Sequence, residues 1–243
     1  MANKDNDVDE WIENRKPHQV KALEKASKVF NEKDNLSVNT LEAIYGKESS
    51  FGNDRYVNKS PKGTAKPAGH FQQKKASANE QGLITNPKND QRFDIDEASI
   101  GAAKQLKKLD TYFSKKTTLD KNISTIGISD VETREIFTIA AYNIGQGRVA
   151  KAQALAKEAK KDPKNWNDVQ EFLINAGANK TQAKEVTEYV KRVLEYKKGF
   201  EKKSKANKKL KDKMLKNKAS KTNKSGNDGH WVTINDKAVL IKN

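Results

Sequence analysis

Apolar residues return along this chain at intervals of three and four, the spacing of one helix face. Val20, Leu23, Ala26 and Phe30 make such a stripe over about 18–31. Val38, Leu41, Ile44 and Tyr45 make the next, with Ser37 or Asn39 available as its cap. Ile100, Ala103, Leu106 and Leu109 turn inward from "DEASIGAAKQLKKLDTYFSKK". Val131, Ile136, Ile139 and Ala140 do the same in "SDVETREIFTIAAYN". That run opens with Ser129 and Glu132 at capping-box spacing and breaks at Gly145 and Gly147. "RVAKAQALAKEAKK" and the short "WNDVQEFLINAG" predict two further helices. "TQAKEVTEYVKRVLEYKKGF" predicts another, capped by Thr181, with Val186, Tyr189, Val190, Val193 and Leu194 on its apolar side. The expected fold class is mainly α.

Elsewhere the period fails. Residues 52–94 are rich in Gly, Pro, Asn, Lys and Gln and read as a long loop with a short helix near Phe71. A loop of that length inside a domain is usually functional or mobile. The first 17 residues are polar and predict a loosely held lead. After Phe200 the pattern fades into lysine, as in a solvated helix or a disordered linker. The last fifteen residues change again: 231–234 and 238–241 are β-rich around Asn235-Asp236, which predicts a hairpin. The expected organisation is a lead at 1–17, a helical domain at 18–200, a Lys-rich linker at 201–228 and a C-terminal hairpin at 229–243.

Charge sharpens that division. Of the formal +16 over 243 residues, +11 falls in 197–224, where thirteen lysines face two acids, Glu201 and Asp212. Such a segment is a tether, or it draws the protein to polyanions: anionic wall polymers, lipid headgroups or nucleic acid. Residues 201–229 contain no base-stacking aromatic, so a nucleic-acid contact there would be to phosphates alone and strongly salt-dependent. The chain has no cysteine, which excludes disulfides and thiolate metal sites. Its three histidines do not pair at metal-ligand spacing, so neither a metal nor a cofactor is expected. The N-terminus has no apolar core of a secretory signal, and no apolar run approaches the ~20 residues of a membrane span. The expectation is a protein soluble as made.

The candidate chemistry lies in "LEAIYGKESSFGN", residues 41–53. Glu48 follows Leu41, Ile44 and Tyr45 by seven, four and three positions, so a helix places it on their inward face. Desolvation raises the pKa of such an acid, and a carboxyl still protonated near neutrality can protonate a leaving oxygen. Spacing alone leaves a plainer reading open, a surface glutamate of the last turn. By pattern alone Tyr142 and Tyr189 read as core tyrosines, and Gln72 and His70 as loop residues. The glycines of "IGQGRV" follow a helix rather than a strand, which rules out a dinucleotide cradle.

Four blocks together carry more than any one of them. "AIYGKESSFG" resembles the signature of the lytic transglycosylases of the soluble and goose-type lysozyme superfamily. "AGHFQ", 68–72, is similar to the family's Gly-Leu-Met-Gln block, with His70 and Phe71 in place of Leu and Met. "AAYNIGQGRV", 140–149, is similar to its Ala-Tyr-Asn-x-Gly-x-Gly block. "EVTEYVKRVLEY", 185–196, resembles its Glu-Thr-x-x-Tyr-Val block, with the Glu-Thr pair lost to Val186. The blocks run in the family's order over about 37–196.

The resemblance implies a lysozyme-like helical domain. It implies that Glu48 is the single catalytic acid and base and that Ser49 supports it. Gln72 would line the cleft, Tyr142 would face the acid, Asn143 would order its loop, and Tyr189 would close the far side. Phe71 would offer an apolar face to a sugar. The implied substrate is the glycan of peptidoglycan, cut between N-acetylmuramic acid and N-acetylglucosamine to leave 1,6-anhydro ends. A hydrolytic lysozyme of the same fold is the alternative. It needs a second carboxylate, for which Asp54, Asp94 and Asp96 are available. A reading of another class is a non-enzymatic packaging or scaffold protein that binds DNA through the lysine segment. The terminal "HWVTINDKAVLIKN" resembles short hairpins of phage structural proteins, which would suit delivery in a virion; conjugation or secretion machinery is another home.

Overall fold

Lys4–Asn14 forms a helix, α1, where the polar sequence predicts a loose lead. Val8 is 4% exposed, and Trp11 meets Tyr196 edge-on at 4.8 Å and stacks with Phe51 and Phe200 at 6.3 Å. Val8, Trp11 and Ile12 have helical spacing, but the charges between them hide it. In the computed structural model, residues 4–31, 33–225, 230–234 and 237–241 are described.

The predicted stripes form helices because each buries its apolar side. α2 (Pro17–Ser27) starts on proline, whose missing N–H costs nothing at a first turn. α3 (Val38–Ser49) follows Ser37, whose backbone N–H donates to Thr40 Oγ1 at 3.2 Å. α6 (Ile95–Ser114) is capped by Asp94, whose carboxylate accepts from the N–H groups of Asp96 and Glu97. α7 (Val131–Ile144) is capped by Asp130, not Ser129: its carboxylate accepts from Thr133 N–H at 2.8 Å. α8 (Gln146–Glu158) and α9 (Trp166–Gln170) follow. α10 (Lys180–Ser225) starts one residue before Thr181; Asn179 and Gln182 exchange side-chain bonds there at 2.8 and 3.2 Å.

The loop region is more ordered than its sequence suggests. It holds α4 (Asp54–Val57), α5 (Lys75–Glu80) and a 3-10 turn, Gln91–Phe93. The short helix lies at α5, past Phe71. Arg92, 1% exposed, organises the segment. Its guanidinium binds Asp90 at 2.7 and 2.9 Å and donates to the carbonyls of Thr64, Lys66 and Gln73 at 2.9–3.0 Å. A small antiparallel pair, β1 (Thr118–Asp120) with β2 (Ile123–Ser124), has no counterpart in the sequence reading.

The core of residues 1–200 forms where α2 packs on α6, α6 on α7 and α7 on α8. Leu23, Leu41, Ile44, Leu106, Phe137 and Val193 are fully buried there. Buried charge locks the helices in register. Glu135 of α7 accepts from Lys197 of α10 at 2.7 and 2.9 Å and from Thr40 of α3 at 3.0 Å. Residues 201–243 form a second unit. It contains the rest of α10 and the hairpin of β3 (His230–Ile234) and β4 (Lys237–Ile241), with Val232 opposite Val239. The predicted turn pair, Asn235-Asp236, lies outside the described residues.

Candidate active site

The last turn of α3 carries Glu48, and the chain leaves that helix abruptly. Ser50, Phe51 and Gly52 all have positive φ, at 48, 58 and 84°. Three left-handed residues in succession are costly outside glycine. The surroundings hold them. Ser49 Oγ donates to Tyr45 O at 3.2 Å and accepts from Gly52 N–H at 3.1 Å. A Cβ on Gly52 would fall 2.0 Å from the Tyr45 hydroxyl, so the turn also requires glycine for space. The helix therefore stops just past the acid and leaves Glu48 half-buried at a cleft wall.

Tyr189, arriving from α10, donates its hydroxyl to Glu48 Oε1 at 2.6 Å. Burial raises the Glu48 pKa from 4.5 to about 7, against the Tyr189 bond and the charge of Lys47. Tyr142, near the end of α7, donates to Phe71 O at 3.0 Å. Burial, and then the neighbouring Glu48, hold both phenols well above their ordinary pKa. They stay neutral donors across the range in which Glu48 titrates. With Oε1 engaged by Tyr189, the other carboxyl oxygen is left to carry and release a proton.

The cleft encloses about 520 Å³. Glu48, Gln72, Tyr142 and Asn143 line it together, and Tyr189, outside that lining, bonds the acid. Gln72 holds a left-handed φ of 45°, and its amide donates to Gly69 O at 2.7 Å and Tyr56 O at 3.1 Å. Two sequence-derived site residues lie elsewhere. Ser49 is 0% exposed and Phe71 1%, so neither offers a surface to a ligand in the cleft. Ser49 sits about 100° round the helix from Glu48 and faces backbone. Phe71 stacks on Tyr45 with ring centroids 5.2 Å apart.

Asp54, Asp94 and Asp96 do not line the cleft, and Asp94 is occupied in capping α6. Among the described residues, the other carboxylate on its wall is Glu185, one turn before Tyr189. Sequence reasoning passed over Glu185, Lys47 and Tyr56. Tyr56 is 41% exposed on the cleft wall, and an aromatic in a polar loop was its available signal. A larger hollow of about 680 Å³ is lined by Ile136, Trp166, Val190 and Leu194; its carboxylates, Asp130 and Asp162, are exposed.

The arrangement suits general acid catalysis on a substrate bound in the cleft. A model of the family described as "Transglycosylase SLT domain" matches residues 25–165. A membrane-bound lytic murein transglycosylase F from Desulfosudis oleivorans is 33% identical over 78 residues, 28% of this chain and 17% of the relative. One of the same name from Marinobacter nauticus is 50% identical over 40 residues, 16% of this chain and 8% of the relative. The match thus spans less than a fifth of either relative's length.

Proposed function

This chain belongs to the transglycosylase SLT domain family, and from that premise we propose that it cleaves the glycan of peptidoglycan as a lytic transglycosylase. The observation that carries the reading is Glu48, half-buried on the cleft wall and bound to Tyr189 at 2.6 Å. Its pKa of about 7 keeps much of it protonated near neutrality. Glu48 gives that proton to the oxygen between C1 of N-acetylmuramic acid and C4 of N-acetylglucosamine, and the C1–O bond breaks. The muramic N-acetyl group stabilises the oxocarbenium-like centre. The Glu48 carboxylate then takes the proton of the same sugar's 6-hydroxyl. O6 bonds to C1, the acid is restored, and a 1,6-anhydro end remains without consumption of water.

Gln72, Asn143 and Tyr142 line the path of the strand in this reading. The cleavage serves local opening of a bacterial wall, with delivery in a virion or by a secretion machine. The Lys-rich segment holds the protein near anionic wall polymers.

Hydrolysis at the same acid is the second reading, favoured by Glu185 on the cleft wall. An inverting hydrolase sets its second carboxylate about 6.5–9.5 Å from the acid to activate water. Mass analysis of digested sacculi separates the two. Anhydro-muropeptides are expected; reducing ends alone would refute the lyase. A Glu48→Gln protein that still cleaves would refute the acid. Deletion of 201–228 is expected to leave cleavage intact, whereas a DNA-binding scaffold would lose its function.

A further inference from the structure

One buried polar chain is not used by the chemistry above. Lys16 N–H donates to Gln19 Oε1 at 2.8 Å, which fixes the orientation of that amide. Gln19 Nε2 then donates to Phe51 O at 3.2 Å and to the Tyr45 hydroxyl oxygen at 3.1 Å. Tyr45 is 0% exposed, and its hydroxyl lies 3.1 Å from His70 Nδ1. If Nδ1 carried a hydrogen, the buried Tyr45 proton would have no acceptor among the described residues, at a cost comparable to a lost hydrogen bond. Nδ1 is therefore the acceptor, and the ring is neutral with its hydrogen on Nε2. The backbone of Phe93 bonds the ring as well.

This chain joins three parts of the site. Phe51 O belongs to the left-handed turn that ends the acid's helix. Tyr45 precedes Glu48 by one helical turn. His70 adjoins Phe71, whose carbonyl receives the Tyr142 hydroxyl at 3.0 Å. We propose that neutral His70 is a positioning residue for Glu48: through Tyr45 and Gln19 it holds the turn at 50–52, and a proton on Nδ1 releases that turn. The link to cleavage rests on the function proposed above; the latch itself does not.

The charged and titratable groups around the ring set when the latch opens. Burial disfavours the imidazolium and outweighs Asp54 of α4 and Asp94 at the start of α6, which favour it; His18 of α2 also disfavours it. His70 is thus held below its ordinary 6.5. Burial likewise keeps the facing Tyr45 phenol un-ionised. The latch is closed at neutral pH and opens on the acid side. Cleavage then has two limits: Glu48 loses its proton above about 7, and His70 gains one at low pH.

The test uses the full chain and two readouts. Nitrogen-15 NMR of the imidazole should show the Nε2–H form at pH 7 and a midpoint below 6.5. The amide signals of 50–53 should move with that midpoint. A ring hydrogen on Nδ1, a midpoint at or above 6.5, or amides indifferent to the titration would overturn the latch. His70→Leu removes the acceptor and should slow cleavage at pH 7 roughly tenfold. His70→Asn, whose side-chain oxygen falls near Nδ1, should recover most of that loss and abolish the acid limb. An acid limb that persists in His70→Asn would refute the positioning role while the proposed function stands. Wild-type protein that cleaves nothing at any pH would refute the function, and the ring and amide titrations would still decide the latch.

Discussion

Glu48→Gln should do more than abolish cleavage: it should make the folded protein harder to unfold as pH rises. Burial lifts the Glu48 pKa from 4.5 to about 7, so the folded state holds a proton that the unfolded state has released. The stability this contributes is full below the unfolded value and is lost as pH rises through the folded one. Above it the protein carries an ionised carboxylate in a site that disfavours charge. The full shift corresponds to about 3.4 kcal/mol. Solvent reaches the cleft and screens part of this, leaving about 1.5 kcal/mol for the variant to recover.

Glutamine removes the charge but keeps an oxygen to accept from Tyr189, whose bond to the native side chain is 2.6 Å long. Burial also raises Glu42 and Glu135, but both are common to the two proteins and cancel in the comparison. The assay is paired thermal denaturation from pH 4 to 9. The melting curves should coincide at the acid end, diverge between about 4.5 and about 7, and stay apart at higher pH, the variant gaining roughly 3–6 °C. Parallel curves across the whole range would refute the reasoning, because Glu48 would then titrate in the folded protein as it does in water. Cleavage by the variant should be lost, since it forfeits at least the ~10²–10⁴-fold that a general acid contributes.

Three further outcomes follow from the same contacts. Tyr189→Phe deletes the bond that holds the Glu48 pKa down; the alkaline limb of a pH–rate profile should move to higher pH while the rate at pH 6 falls, and an unmoved limb would refute the coupling. Arg92→Met strands the buried Asp90 carboxylate and three carbonyls, so urea titration should show a loss of about 3–5 kcal/mol; a loss below about 1 kcal/mol would show that solvent replaces the guanidinium. Gly46→Ala sets a methyl group 2.3 Å from the Trp11 ring; α1 should shift, with a change in tryptophan fluorescence and a loss of about 1–3 kcal/mol, whereas unchanged emission and stability would mean that α1 does not pack on that backbone.

The helices were legible wherever apolar spacing ran uninterrupted for three turns. α2, α3, α6 and α7 are such runs. α1 was not, because three apolar residues among acids carry little periodic signal until Tyr196 and Phe200, far along the chain, supply the surface they cover. The caps shifted by one or two residues where cap-competent side chains adjoin: Asp130 served instead of Ser129, and Asn179 instead of Thr181. β1 and β2 span five residues in all, too few for alternation to register.

The site divides along the same physical line. Helix spacing sets Glu48 on the face of Leu41, Ile44 and Tyr45, but it was the four blocks of the resemblance that singled it out as the candidate acid. Its bond partner, 141 residues later, was reachable only through resemblance. Ser49, expected to support the acid, and Phe71, expected to face a sugar, both lie off the cleft surface for a local reason: each adjoins a cleft residue in sequence, and neighbours in a helix or tight turn point different ways. Their placement has a use. Phe71 stacks on Tyr45, Ser49 bonds its carbonyl, and both brace the turn that exposes the acid. The acid's pKa is therefore set from two sides, by a core that withholds water and a phenol that steadies one oxygen. Weakening the brace would admit water and lower the pKa; removing the phenol would raise it. The two perturbations move the alkaline limb of cleavage in opposite directions, so its displacement in any variant tells which support was lost.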